Sequence, residues 1–138
     1  MKTGFRNKGK VLARFDKVPL VYRNAARTQG TIEVEKIVST MKRFAPEDHG
    51  VLKSTIKFDE RHRADKLLWV IKAGGPATTK VVRKSAKGNA PEFDYAVGVE
   101  HGTTENPAQP YFYPAYRLHK KKAKRRIKAA ARKALREV

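Results

Sequence analysis

Between residues 16 and 44, apolar side chains recur mostly three or four positions apart, at Val18, Val21, Tyr22, Ala25, Ile32, Ile37, Met41 and Phe44. That period predicts a long N-terminal helix. Asp16 is placed to cap it, with Pro19 in its first turn. Gly30 interrupts the pattern and can kink or divide the helix, at about 1 kcal/mol relative to alanine. Pro46 closes it, because the residue before a proline is pushed out of the helical region. Residues 1–15 are basic and hold no sustained period, so they predict a loose, flexible arm or a short strand.

Asp48, His49 and Gly50 form a turn by composition. Beyond it Leu52, Ser54, Ile56 and Phe58 alternate with Val51, Lys53, Thr55 and Lys57, which predicts a strand exposed on one face. The charged stretch DERHRADK leads into LLWVIKA, read as a buried strand. Gly74, Gly75 and Pro76 signal a turn, followed by a shorter strand near residues 80–83. The simplest arrangement is an antiparallel meander, a small sheet of three to four strands. SAKGNAPE, residues 85–92, has the composition of a flexible loop. Residues 95–100 fit two periods: their alternation suggests a strand, whereas Tyr95, Ala96 and Val99 share one helical face.

From Pro114 onward the pattern is helical again. Ala115, Leu118, Ala123, Ile127, Ala130, Ala134 and Val138 form a narrow apolar stripe, and cations occupy the remaining surface. Pro114 suits a helix start. The fold class is therefore α+β: a long N-terminal helix, a small antiparallel sheet, and a basic C-terminal helix over residues 115–138. There are no internal repeats, and 138 residues make one domain over residues 1–138.

Charge changes this picture most. Lys and Arg number 32 against 13 Asp and Glu, a net charge of +19. So strong a field implies a polyanionic or acidic partner. The charge is concentrated: residues 117–138 carry eleven cations and one anion, Glu137. On the basic helix, Lys121, Lys124, Arg125 and Lys128 are candidate contacts to nucleic-acid phosphates or to an acidic protein. The plainer reading is a solvated amphipathic helix docked by its apolar stripe. Cysteine is absent, which excludes disulfides and thiolate-held metals. The longest apolar run, residues 67–71, is five residues and cannot span a membrane. The basic N-terminus is followed by VLARFDKVPL, too interrupted for a signal-peptide core, so the expectation is a protein made and used in the cytoplasm.

Catalytic chemistry has thin support. Asp48 and His49 near Ser54 or Thr55 could be called a nucleophile constellation, but a triad needs a geometry that sequence does not supply, and a turn flanking a strand is the favoured reading. Four histidines (His49, His62, His101, His119) show no metal-ligand spacing, so no metal or cofactor is expected. Glu100 and His101 could form an acid–base pair. The bland alternative is a structural carboxylate, accepting hydrogen bonds from amides of the following turn or from a cation of its own or a neighbouring subunit. Gly102 would then supply a backbone conformation that a side chain disfavours. Tyr111, Phe112 and Tyr113, held between Pro110 and Pro114, could stack on bases or pack in the core or against a neighbour; the prolines stiffen the segment either way.

Two clusters taken together have a more specific look. One is APEDHGVLKSTI, residues 45–56; the other is YAVGVEHGT, residues 95–103, followed by PAQPYFYPA, residues 107–115. In order, spacing and element context they resemble the neck and tail-completion family of tailed bacteriophages, the tail-component family of lambdoid siphophages. That family carries AP-x-D-T-G-x-L-R-x-S-I after a long helix, then YA-x-x-V-E-F-G-T, then A-Q-P-F-x-x-P-A leading into a C-terminal helix. This chain departs from the pattern at His49, where threonine is usual, at His101, where an aromatic is usual, and at Thr55, where serine is usual.

The resemblance implies a non-enzymatic structural protein of the virion, assembled in the host cytoplasm. It would sit at the junction between DNA-filled head and tail as a ring, six copies being the expected number. Its partners would be copies of itself, head-completion or connector proteins, tail proteins, and DNA in the channel, with no membrane. A gene-transfer particle built from phage parts would use the same protein. The resemblance marks Pro46, Gly50, Leu52, Tyr95, Glu100, Gly102, Thr103, Pro110, Tyr111, Phe112 and Pro114 as motif or interface positions. The rival reading from charge and size is a stand-alone basic nucleic-acid-binding protein of ribosomal type.

Overall fold

The computed structural model describes residues 7–47, 50–81 and 91–138. The elements run α1 (Lys8–Phe44), α2 (Val51–Thr55), β1 (Lys57–Glu60), β2 (Trp69–Lys72), a single 3-10 turn (Pro76–Thr78), β3 (Thr79–Val81), β4 (Glu92–Asp94), α3 (Tyr95–His101) and α4 (Phe112–Arg136). The class is α+β, as the patterning predicts. The expected turn at Asp48 and His49, the strand end at residues 82–83 and most of the 85–92 loop lie outside the described residues.

Helix α1 is longer than its apolar period. It begins at Lys8, so residues 8–15 are neither arm nor strand, and Asp16 lies inside the helix rather than capping it. Asn7, at φ 72°, turns the chain into the helix, and its carbonyl accepts the Val11 amide at 3.0 Å. Pro19 sits in the interior and cannot donate to the Phe15 carbonyl; both residues are exposed, so water can take that acceptor. The helix runs through Gly30 without a break and ends at Phe44, before Pro46.

Two compact units are built on this scaffold: Glu33–Lys120, and residues 7–32 with Lys121–Val138. The first holds the hydrophobic core. Val34, Ile37, Val38 and Met41 from the end of α1, and Ala45 just beyond it, pack with Leu52, Ile56, Ala96, Tyr111 and Ala115, and Phe58, Trp69 and Ile71 lean on this cluster from the hairpin.

Residues 51–55 are helix, where alternation predicts strand. The buried pair Leu52 and Ile56 is four apart, a spacing that fits a period of two and a period of 3.6 equally. Backbone and hydroxyl bonding decide it. Gly50 enters at φ 68°, and Ser54 and Thr55 return their hydroxyls to the carbonyls of Val51 and Leu52, each at 2.6 Å.

The strands make two separate two-stranded sheets instead of one meander. β1 and β2 pair antiparallel with Phe58 opposite Ile71, and β2 is half-buried, not buried. β3 pairs with β4, Lys80 opposite Phe93, so the chain beyond the Gly74–Gly75 turn leaves the first hairpin. Residues 95–101 resolve to helix α3.

In the second unit the buried residues of α4 are Ala123 and Ala131. Ala131 stands outside the predicted stripe. Leu118, within that stripe but in the first unit, is 55% exposed, and half-buried His119 beside it occupies the inward position. The Thr40 hydroxyl lies 3.0 Å from the Lys36 carbonyl, which accepts from it, and shares a hydrogen bond of 2.7 Å with His119 Nε2.

Candidate functional site

The residues of the second motif build one device, an anion clamp on the start of α4. An α-helix begins with four backbone N–H groups that have no partner inside it. In α4 these belong to Tyr111, Phe112, Tyr113 and Pro114. Glu100 Oε2 accepts from Tyr111 at 2.8 Å and from Phe112 at 2.9 Å, and Oε1 accepts from Tyr113 at 3.1 Å. Pro114 has no N–H to satisfy. The account closes on four residues and one carboxylate. Its charge also lies at the positive end of the helix dipole.

Glu100 is 8% exposed. Its partners are backbone amides of its own chain, and they belong to the next long helix, not to the turn that immediately follows. That turn serves another purpose. Gly102 takes φ 81° and ψ 164°, and a side chain there would meet the Ala108 backbone nitrogen at 2.9 Å. Thr103 and Asn106 exchange hydrogen bonds of 2.9 and 3.1 Å, and the Gln109 amide donates to the Val99 carbonyl at 2.8 Å. The loop is thus folded back along α3, which delivers Tyr111 to Glu100.

The aromatic segment divides by exposure. Tyr111 is buried and donates its hydroxyl to the Ala96 carbonyl at 3.3 Å. Burial pushes that hydroxyl up to about 12, and the charges of Glu100 and then Asp94 act in the same direction. Phe112 is half-buried against the core, edge-on to both neighbouring rings. Tyr113 is exposed, with the His101 ring 6.3 Å away. Pro110 is exposed and Pro114 half-buried.

A second carboxylate, not singled out by the sequence, locks the other end of α3. Asp94 accepts from the Ala96 amide at 3.0 Å, the Gly75 amide at 2.9 Å and the Thr78 hydroxyl at 2.6 Å. Burial opposes its ionised form, but these bonds outweigh it and hold the carboxyl below its usual range. Gly74 donates to the Thr55 hydroxyl at 3.0 Å, and a side chain on Gly74 would run into the Asp94 carboxylate. The available signal was an aspartate just ahead of a helix-compatible stretch, the usual cap position.

The first motif joins the same unit. Leu52 is in the core, Gly50 is an exposed left-handed residue, and Pro46 is half-buried. Pro46, Tyr95, Thr103, Pro107 and Gln109 line one open cleft of about 260 Å³. Lys80 Nζ lies 5.3 Å from the Tyr95 ring centre at the cation–π distance.

The cationic candidates belong to the other unit. Lys121, Lys124, Arg125 and Lys128 are all exposed on α4. With Arg117 and Arg132 they follow each other along α4, Lys124 beside Arg125 and the other steps three or four residues, as one exposed cationic stripe that passes beside the buried Ala131. Among the described residues no three His, Asp or Glu side chains are grouped to hold a metal ion. No described helix is long and apolar enough to cross a membrane. Compared with protein-family models, with curated proteins and with solved structures, the chain matches none.

Proposed function

We propose that this chain is a structural protein of the head–tail junction of a tailed phage or phage-derived particle, a neck or tail-completion component that acts as a ring. The observation that carries the reading is the Glu100 clamp. The residues of the three motif segments that resemble the neck family are those that position α4. Glu100 and Gly102 set its start, Tyr111 anchors it in the core, and Leu52 and Pro46 support the same unit. Their chemistry is spent on backbone geometry, which suits a part that must present one helix identically in every copy.

In this reading α4 offers its cationic stripe to DNA in the channel or to an acidic neighbouring ring. Self-association of the isolated chain is opposed by +19 charges, so the purified protein is expected as a monomer that closes into a ring, of six copies, on its connector or tail partner. No catalytic or cofactor role belongs to it.

Imaging of assembled particles tests the proposal. Density for this chain at the neck, repeated around the particle axis, is the expected result, and particles lacking the protein should accumulate as unjoined heads and tails. Neck density without rotational symmetry for this chain would overturn it. The exposed cationic stripe also favours a second reading, a stand-alone nucleic-acid-binding protein. Light scattering separates the two: that protein stays monomeric with connector and tail proteins present, whereas a ring component gains mass.

A further inference from the structure

One apolar stripe runs the length of α1, but only its second half is covered. Ala26, Gly30, Ile37 and Met41, with the one carboxylate Glu33 among them, follow each other at three- or four-residue steps, and all are buried. Traced back toward the N-terminus, the stripe continues through Tyr22, Val18, Phe15 and Val11, with Leu12 and Pro19 beside it. Here it is bare: Tyr22 is 42% exposed, Phe15 67% and Val11 48%, while Val18 is half-buried. Two aromatic and several aliphatic side chains in line on one exposed face are more than scattered surface residues. The steps of four, three and four are those of a seam that receives another helix.

Charge decides which helix. Exposed Lys10, Arg14 and Lys17 run along one edge of the seam and Lys8 closes its end. Residues 8–32 hold six Lys and Arg against a single acid, Asp16. A second copy of this chain would bring like charges together along the whole contact, whereas a helix with acidic flanks would pair with them. We propose that the first four turns of α1 are a docking seam for an amphipathic helix of a second, acidic protein. Apolar residues of that helix would pack on Val11, Phe15, Val18 and Tyr22, and its carboxylates would face Lys10, Arg14 and Lys17. The inference does not depend on the head–tail reading.

The test is titration of the full chain, by calorimetry, with a designed helical peptide bearing leucine at the seam positions and glutamate on both flanks. Saturable one-to-one binding is expected. The double variant Phe15→Ser, Tyr22→Ser alters exposed residues outside the core, so circular dichroism should be unchanged while affinity falls about tenfold or more. Two control peptides make the chemistry falsifiable without any variant. A peptide with the same glutamates but serine for leucine should bind far more weakly, and equal binding would reduce the effect to bare charge attraction and overturn the seam. A peptide with lysine flanks should not bind, and equal binding would overturn the acidic partner. Light scattering that shows a dimer of the chain alone, lost in the double variant, would assign the seam to a second copy instead. Vesicles containing anionic lipid that bind the chain through Phe15 and Tyr22, while the acidic peptide does not, would assign it to a membrane surface; both outcomes refute the proposal.

Discussion

Glu100 Oε2 lies 2.8 Å from the amide nitrogen of Tyr111, and the Tyr111 hydroxyl in turn reaches the Ala96 carbonyl at 3.3 Å. The two residues therefore hold α3 and the start of α4 together through both the backbone amide and the side-chain hydroxyl of Tyr111. The carboxylate fixes where α4 begins, and the buried ring fixes which way its first turn faces. Because all of these partners lie in one chain, the clamp is a stability element of the subunit.

Replacing Glu100 by glutamine keeps its size but removes the charge and leaves one good acceptor oxygen for three amides. The expected cost is about 1.5–3 kcal/mol, the range for hydrogen bonds to a charged group. Urea unfolding should show a lower midpoint with an unchanged slope. A midpoint equal to that of the wild type would mean the amides are satisfied without the charge.

Tyr111 makes stability fall at high pH. Its hydroxyl titrates at about 12 in the folded chain against 10.0 for an ordinary tyrosine. The folded state therefore keeps a proton that the unfolded state releases. Stability from this group is fully present below pH 10 and is lost as pH rises toward 12, by about 1.4 kcal/mol for each unit. The difference in stability between wild type and Tyr111→Phe, measured from pH 9 to 12, should follow this slope. A constant difference would refute it.

Gly102 and Gly50 both have positive φ, yet they should respond differently to alanine. At Gly50 nothing lies near the added methyl, so only the left-handed backbone is strained, at about 1 kcal/mol. At Gly102 the backbone lies in a region nearly reserved for glycine, and the methyl would also meet the Ala108 nitrogen at 2.9 Å. Gly102→Ala should be the more destabilising of the two by thermal melting, and equal losses would show that the 103–109 loop can move aside.

Thr55 should tolerate serine and resist valine. Its hydroxyl donates to the Leu52 carbonyl and accepts from the Gly74 amide, and serine can do both. Thr55→Val leaves that amide without its partner, at about 1–3 kcal/mol if water cannot replace it. Hydrogen exchange at Gly74 reports the loss directly, faster in the valine variant and unchanged in the serine one.

If the stripe on α4 meets DNA, binding should weaken steeply with salt. Changing Lys121, Lys124, Arg125 and Lys128 to glutamine should flatten the log–log slope by about 0.9 for each phosphate contact removed. These side chains are exposed, so folding should be unaffected. A slope that the substitutions leave intact would direct attention to an acidic protein partner.

Local rules carried much of this architecture. Helical periods marked both long helices, Pro46 and Pro114 marked where one ends and the other begins, and Gly74–Gly75–Pro76 marked the reversal between hairpins. Each depends on neighbours within about four residues, the range over which a sequence pattern acts directly. Charge was equally legible, because it is a property of composition. Tertiary structure decided the rest. Leu52 and Ile56 fit a strand as well as a helix until hydroxyl and backbone bonds chose the helix. The three-residue strand β3 could pair on either side, and Asp94, bound to Gly75 and Thr78, set it against β4. Ala131 is buried and Leu118 exposed because what covers a helix face is supplied by other segments. Glu100 could be recognised as a carboxylate in an apolar stretch, but its partners lie eleven to thirteen residues downstream, on amides. Every residue but proline offers such an amide, so no side-chain pattern names the partner; only the folded chain brings those three within reach of one carboxylate.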